Sequence, residues 1–304
     1  MSLLTIGLPW LGALIVLMAG DKRPQVQHLI AVVFALAADL TAVLLLTAPS
    51  GILVSLTVGG VFGNFSFRPD GLGVFLSIIA TVVGSLAIIF SIDYVHGEEQ
   101  LGRYYALVLL FIGAMVGLVL TNSLLLLLVF WEIMAFCSYA LIAFHNDDPK
   151  AVAGGIKALV LTQLGSLGLL IGVLAAVAFL GNTQIDYFLG NAQHLSAGLL
   201  SVIAFGFLMA AAAKSAQVPF HTWLPGAMEA PTPISALIHA ATMVNAGVYL
   251  IVRFFPAFSG VPGWMTTVMV IGVLSASLAG IMALVSQDLK RALAYSTISQ
   301  LGYM

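Results

Sequence analysis

Charge is what this sequence has least of. Asp, Glu, Lys and Arg make up 7% of its 304 residues, against about 25% in an ordinary soluble domain. No basic run of the kind that grips nucleic acid occurs, so no nucleic-acid partner is expected. The one cysteine, Cys137, excludes an internal disulfide. P-loop, H-E-x-x-H, paired-cysteine metal spacing and dinucleotide glycine fingerprint are all missing; "GLGVF" at 71–75 is not one. The histidines are too scattered to suggest haem. No cofactor, whether NADH, flavin, iron–sulfur cluster or metal, is expected within the chain.

What is there is apolar. The chain is 61% hydrophobic, with a mean hydropathy of +1.12. Nine apolar spans are long enough to cross a bilayer core of about 20 residues: 3–19, 27–47, 70–92, 104–120, 122–144, 153–180, 198–218, 233–255 and 264–286. A tenth opens near Ala292 and has only 13 residues before Met304, so the sequence is expected to continue past that residue. The first run has no basic leader and no small-residue cleavage site, and reads as a membrane helix. The fold class is therefore an all-α polytopic membrane protein. The longest polar connection, 48–69, carries "ILVSLTVGG" and "GNFSF", whose alternation and glycines suit a short hairpin.

Lysine and arginine set the expected orientation. With the N-terminus outside, the inner connections carry Lys22, Arg23, Arg103, Lys150, Lys157, Lys290 and Arg291. The outer ends carry Arg68 and Arg253. Lys214 belongs to neither side.

Ionisable side chains inside the spans carry the functional signal, because each costs at least about 2.5–3.5 kcal/mol at mid-bilayer. Glu132 lies in "LLLLLVFWEIMAFCSYALIAF", about 16 Å from either end of its span at 1.5 Å per residue. It either accepts from a neighbouring hydroxyl or binds protons or pairs with a cation. Lys214 precedes Pro219 and Pro225 in "KSAQVPFHTWLPGAMEAPTP". Those prolines argue for a helix broken at membrane depth, which exposes half-helix ends to a cavity. Otherwise Lys214 snorkels from a helix end. His239 falls about 9 Å into the next helix, with Thr232 as its N-cap and Pro233 in its first turn. Burial favours the neutral form of such groups, and a nearby opposite charge restores the charged form. Glu132, Lys214 and His239 in one bundle would form a proton relay. Weaker candidates are Asp39, facing a pocket or a hydroxyl; Lys157, snorkelling or in the relay; and Glu229 and His221, gating the broken-helix loop or solvated.

Residues 60–304 resemble the antiporter-like membrane subunits shared by Mrp-type cation/proton antiporters and respiratory complex I. The resemblance rests on "FRPDGLGVFL", "FWEIMAFCSYALIAF", "KSAQVPFHTWLPGAMEAPTPISALIHAATM" and "DLKRALAYSTISQLGYM", in that order. Such subunits have about fourteen helices arranged as two inverted five-helix repeats, each with a broken helix. This chain would then hold N-terminal helices over 1–103, the first repeat over 104–255 and the start of the second over 256–304. The turns in "VLTNSLL" and "LVSQDLK" would be equivalent. The family's membrane glutamate, broken-helix lysine and following histidine fall on Glu132, Lys214 and His239. Departures are Gly226, where an acidic residue is usual, and Asn245, where the Mrp large subunit often has lysine. Gln163 and Ser166 stand where the complex I large subunit often has arginine and aspartate. The resemblance implies a proton-translocating subunit of a multisubunit Mrp-type antiporter in the cell inner membrane. Its expected partners are other membrane subunits, protons and, for an antiporter, Na+. The alternatives are a proton-pumping subunit of complex I or a membrane-bound hydrogenase, and a non-conducting scaffold. In none of these readings does the chain carry the redox site.

Overall fold

The structure is a computed structural model. It describes the chain apart from residues 21–22, 48–53, 58–63 and 241, so Lys22 lies outside the described residues. Helices α1 (Ser2–Ala19), α2 (Pro24–Leu44), α3 (Gly71–Tyr94), α4 (Leu101–Leu120), α5 (Leu124–Ile142) and α6 (Pro149–Leu180) come first. They are followed by α7 (Ile185–Asn191), α8 (Ala197–Lys214), α9 (Trp223–Gly226), α10 (Thr232–Ala240), α11 (Met243–Phe258), α12 (Trp264–Val285) and α13 (Leu289–Tyr303). Among the described residues nine stretches are long and apolar enough to cross a membrane, with Thr232–Phe258 counted as one. They coincide with the nine spans read from the sequence.

Local chemistry sets the helix starts. Asp70, Ser123, Asp148, Ser196 and Asp288 each stand at an N-cap and accept a backbone N–H from the first turn. Pro24 and Pro149 occupy first helical positions, where a missing N–H costs nothing. The expected hairpin is present. Strands β1 (Val54–Thr57) and β2 (Asn64–Phe67) pair antiparallel, with Val54 opposite Phe67 and Thr57 opposite Asn64. Its turn lies outside the described residues.

Helix α4 is apolar all round and nearly every one of its residues is buried, as expected of a helix at the centre of a bundle. α1, α2, α3 and α5 pack around it. α6 then lies between α5 and α8, and its approach to α8 is set by glycine. A Cβ on Gly168 would come within 2.5 Å of the Gly206 carbonyl oxygen.

Two ends of the bundle can be distinguished. At one, Arg103 donates to the Phe144 carbonyl at 2.9 Å, His145 pairs with Glu98 at 3.3 Å, and Arg291 pairs with Glu229 at 3.2 Å. At the other, Arg68 pairs with Asp186 at 2.7 Å. There too, Arg253 grips Asp70 through both terminal guanidinium nitrogens, Nη2 at 3.0 Å from Oδ1. The short helix α7, which lies in a connection between the apolar spans of the sequence, belongs to this second end.

Candidate functional site

The break after α8 fixes the site. The sequence places the break at Pro219 and Pro225, but the helix stops before either. Ala216 is left-handed, with φ 50°. Its N–H bonds the Ala213 carbonyl at 3.3 Å, and the Gln217 N–H bonds the Ala212 carbonyl at 2.7 Å. This is the helix-ending pattern usually built on glycine. Lys214 is thus the last helical residue. The prolines keep the helix from resuming, and the chain crosses to α10 through two 3-10 turns flanking α9. The Trp223 indole donates to the Ala213 carbonyl at 2.9 Å, so a carbonyl at the cut end is satisfied.

Lys214 is completely buried, which removes the snorkelling alternative. Its Nζ donates to the Trp131 carbonyl at 2.9 Å and lies 5.1 Å from the centre of the Trp131 ring. An ammonium has three donors, and a single acceptor leaves it poorly served. Glu132, the next residue on α5, is within electrostatic range of Lys214, as is the buried Cys137 thiol. No ion pair joins Glu132 to Lys214 among the described residues. Glu132 instead accepts a short hydrogen bond from the Gln163 amide on α6. Its partner is an amide, not the hydroxyl weighed from the sequence. One turn along α6, Ser166 accepts from the Trp131 indole at 3.0 Å. Both positions that depart from the complex I pattern therefore touch this site.

His239 is not brought to that pair. It sits at the end of α10, and the span expected to be continuous over 233–255 is divided into α10 and α11. Thr232 is the first residue of α10 rather than its cap, because the Ile234 N–H bonds the Pro231 carbonyl at 2.9 Å. His239 lines a cavity of about 560 Å³ with Asn245 and with Ser296, Thr297 and Gln300 of α13. Its Nε2 is buried without a hydrogen-bond partner, and the charge acting on it is Lys290.

The weaker candidates separate. Asp39 faces the Thr81 and Ser85 hydroxyls of α3. Lys157 is exposed, two turns into α6, and acts electrostatically on His221. The His221 Nδ1 is buried without a partner. Glu229 is held by Arg291 at one end of the bundle. Gly226 has open space where a side chain would project, so its departure from the acidic pattern is not forced by packing. Sequence reading missed the Asp70–Arg253 pair as a unit. Arg253 also donates to Tyr249 at 3.0 Å, and the only available sign was "RPDG" preceding a helix.

The two turns thought equivalent are built alike. Thr121 and Ser286 close their helices with the same extended backbone, at φ −70° and ψ 142° and 127°. Two residues on, Ser123 and Asp288 cap the next helix through their side chains. Thr121 lies near Arg68 and Asp186, and Asp288 near Glu229 and Arg291, at opposite ends of the bundle.

The family described as "NADH:quinone oxidoreductase/Mrp antiporter, TM" matches residues 121–304. The chain belongs to that family. A second description, "NADH-Ubiquinone oxidoreductase (complex I), chain 5 N-terminus", matches residues 56–105. The chain is similar to Na(+)/H(+) antiporter subunit A1 of Staphylococcus aureus strain bovine RF122 / ET3-1, 41% identical over 263 residues. That match covers 85% of this chain and 33% of the relative, so the chain spans about a third of the length of such relatives. In solved structures it resembles a chain of the Mrp complex from Dietzia sp. DQ12-45-1b, with a TM-score of 0.92 and 32% identity over 99% of this chain and 33% of that one. It also resembles a chain of the membrane-bound sulfane sulfur reductase, an archaeal respiratory membrane complex. There the TM-score is 0.84 and the identity 26%, over 99% of this chain and 63% of the other.

Proposed function

We propose that this chain is the proton-conducting part of an Mrp-type antiporter subunit, and that Glu132, Lys214 and His239 carry the proton. One observation carries the reading: a fully buried lysine at a broken helix end, resting on one carbonyl and within electrostatic range of the half-buried Glu132. Such a lysine costs several kcal/mol in a membrane, and a scaffold would gain nothing by keeping it. When Glu132 approaches, the charged pair is favoured. When Glu132 is drawn to Gln163, the ammonium loses its counter-charge and hands the proton on. His239, apart from that pair and lining a largely apolar cavity that also holds Asn245, Ser296, Thr297 and Gln300, is the next station toward α13. The Mrp reading is preferred to the complex I and hydrogenase readings because the similarity to subunit A1 is strong.

In this reading 104–255 form the first repeat, with the N-terminal helices over 1–103 and the second repeat opening over 256–304. The matching turns at Thr121–Ser123 and Ser286–Asp288, at opposite ends, support the inversion. The N-terminus faces outward in the cell inner membrane. The chain works with other membrane subunits, exchanging protons against Na+. The test is Lys214→Ala in the full-length protein within its complex. Coupled transport is abolished while the complex still assembles; normal transport by an assembled variant would sink the relay.

A further inference from the structure

We propose that Gln163 is a positioning residue, whose amide holds the Glu132 carboxylate away from Lys214 and so sets the pH range over which Lys214 exchanges its proton. The inference rests on the relay reading above. Its geometry is independent of that reading. Each member of the pair has a rival partner. Glu132 accepts from the Gln163 Nε2, and Lys214 donates to the Trp131 carbonyl at 2.9 Å. A carboxylate only accepts, so the donor end of the amide must face it.

The support for Gln163 is rigid. Residues 163 and 166 lie three apart on one face of α6, and both reach α5, the second through the 3.0 Å bond between Trp131 and Ser166. On its other side α6 lies against α8 through Gly165 and Gly168. The helix that carries Gln163 is therefore fixed relative to the helix that carries Lys214. Among the described residues, Glu132 and Cys137 on α5 are the titratable groups that act on Lys214. α6 presents the uncharged Gln163 and Ser166 to this region. Removing a neutral donor thus changes no charge, and its effect must run through the freedom of Glu132. Arginine at this position would hold the carboxylate more firmly, so the residue at 163 tunes the pair.

The experiment measures proton flux over a pH series in vesicles containing the intact complex, with Gln163→Leu and Gln163→Met as charge-neutral variants. Glu132, released, pairs with Lys214 and holds its proton to higher pH. The alkaline midpoint of flux moves up by roughly one pH unit, the size expected for a hydrogen bond to a charged group. A lowered flux with an unmoved midpoint, or loss of assembly in both variants, makes Gln163 a packing residue and overturns the inference. Lys214→Ala, run alongside, separates the two ideas. If it conducts normally the relay reading fails. If it is silent while both Gln163 variants keep the original midpoint, only the role of Gln163 fails.

Discussion

At the scale of single residues, charge in an apolar run was readable and its partners were not. Glu132 and Lys214 stood out because an ionisable group is expensive where nothing else is polar. Gln163 and Ser166 stood out only as departures from the complex I pattern, not as partners of Glu132 and Trp131, since an uncharged amide or hydroxyl is tolerated in many spans. The Trp131 carbonyl left no trace at all, because every residue has one. The Asp70–Arg253 pair was hidden for another reason: its members are 183 residues apart. Asp70 both caps α3, accepting from the Gly73 N–H at 2.8 Å, and takes the Arg253 guanidinium. Asp70→Asn keeps the capping ability and loses the ion pair. It should lower stability in detergent by about 1–3 kcal/mol, read as a fall in melting temperature. An unchanged melting temperature would mean that the pair is solvated and energetically idle.

Among the elements, hydropathy located every crossing stretch but misjudged how two of them end. The stop after Lys214 is made by a left-handed alanine, a conformation that residue type does not advertise. The division of α10 from α11 likewise had no proline or glycine to announce it. Contact between α6 and α8 was equally silent, since glycine in a membrane helix is common for several reasons. Gly168→Val would force these helices apart and is expected to cost about 1–3 kcal/mol through overpacking, with loss of transport. Gly226→Asp, into open space, is expected to leave stability within about 1 kcal/mol and assembly intact. Both are read by thermal unfolding of the purified complex. Equal tolerance of the two substitutions would contradict the packing described.

Across the whole molecule, seven cations fall on the expected inner connections and two on the outer ends. Contacts in the fold place Arg103 and Arg291 at one end, with Glu98, and Arg68 and Arg253 at the other, with Asp186. The single native cysteine is buried, so labelling can test which end faces which side. Glu98→Cys should react with an impermeant thiol reagent only from the cytoplasmic side, and Asp186→Cys only from the outside. Reaction of both from one side would contradict the topology.

Under the proposed relay, Lys214 works by releasing its proton, not by carrying charge. The most direct measurement is proton flux driven by an imposed pH gradient, in vesicles holding the intact complex with Lys214→Arg. Arginine keeps the charge and does not deprotonate in proteins. With the relay at work, flux is lost although the complex assembles. Undiminished flux would show that charge alone suffices at this position, and the relay through Lys214 would be wrong.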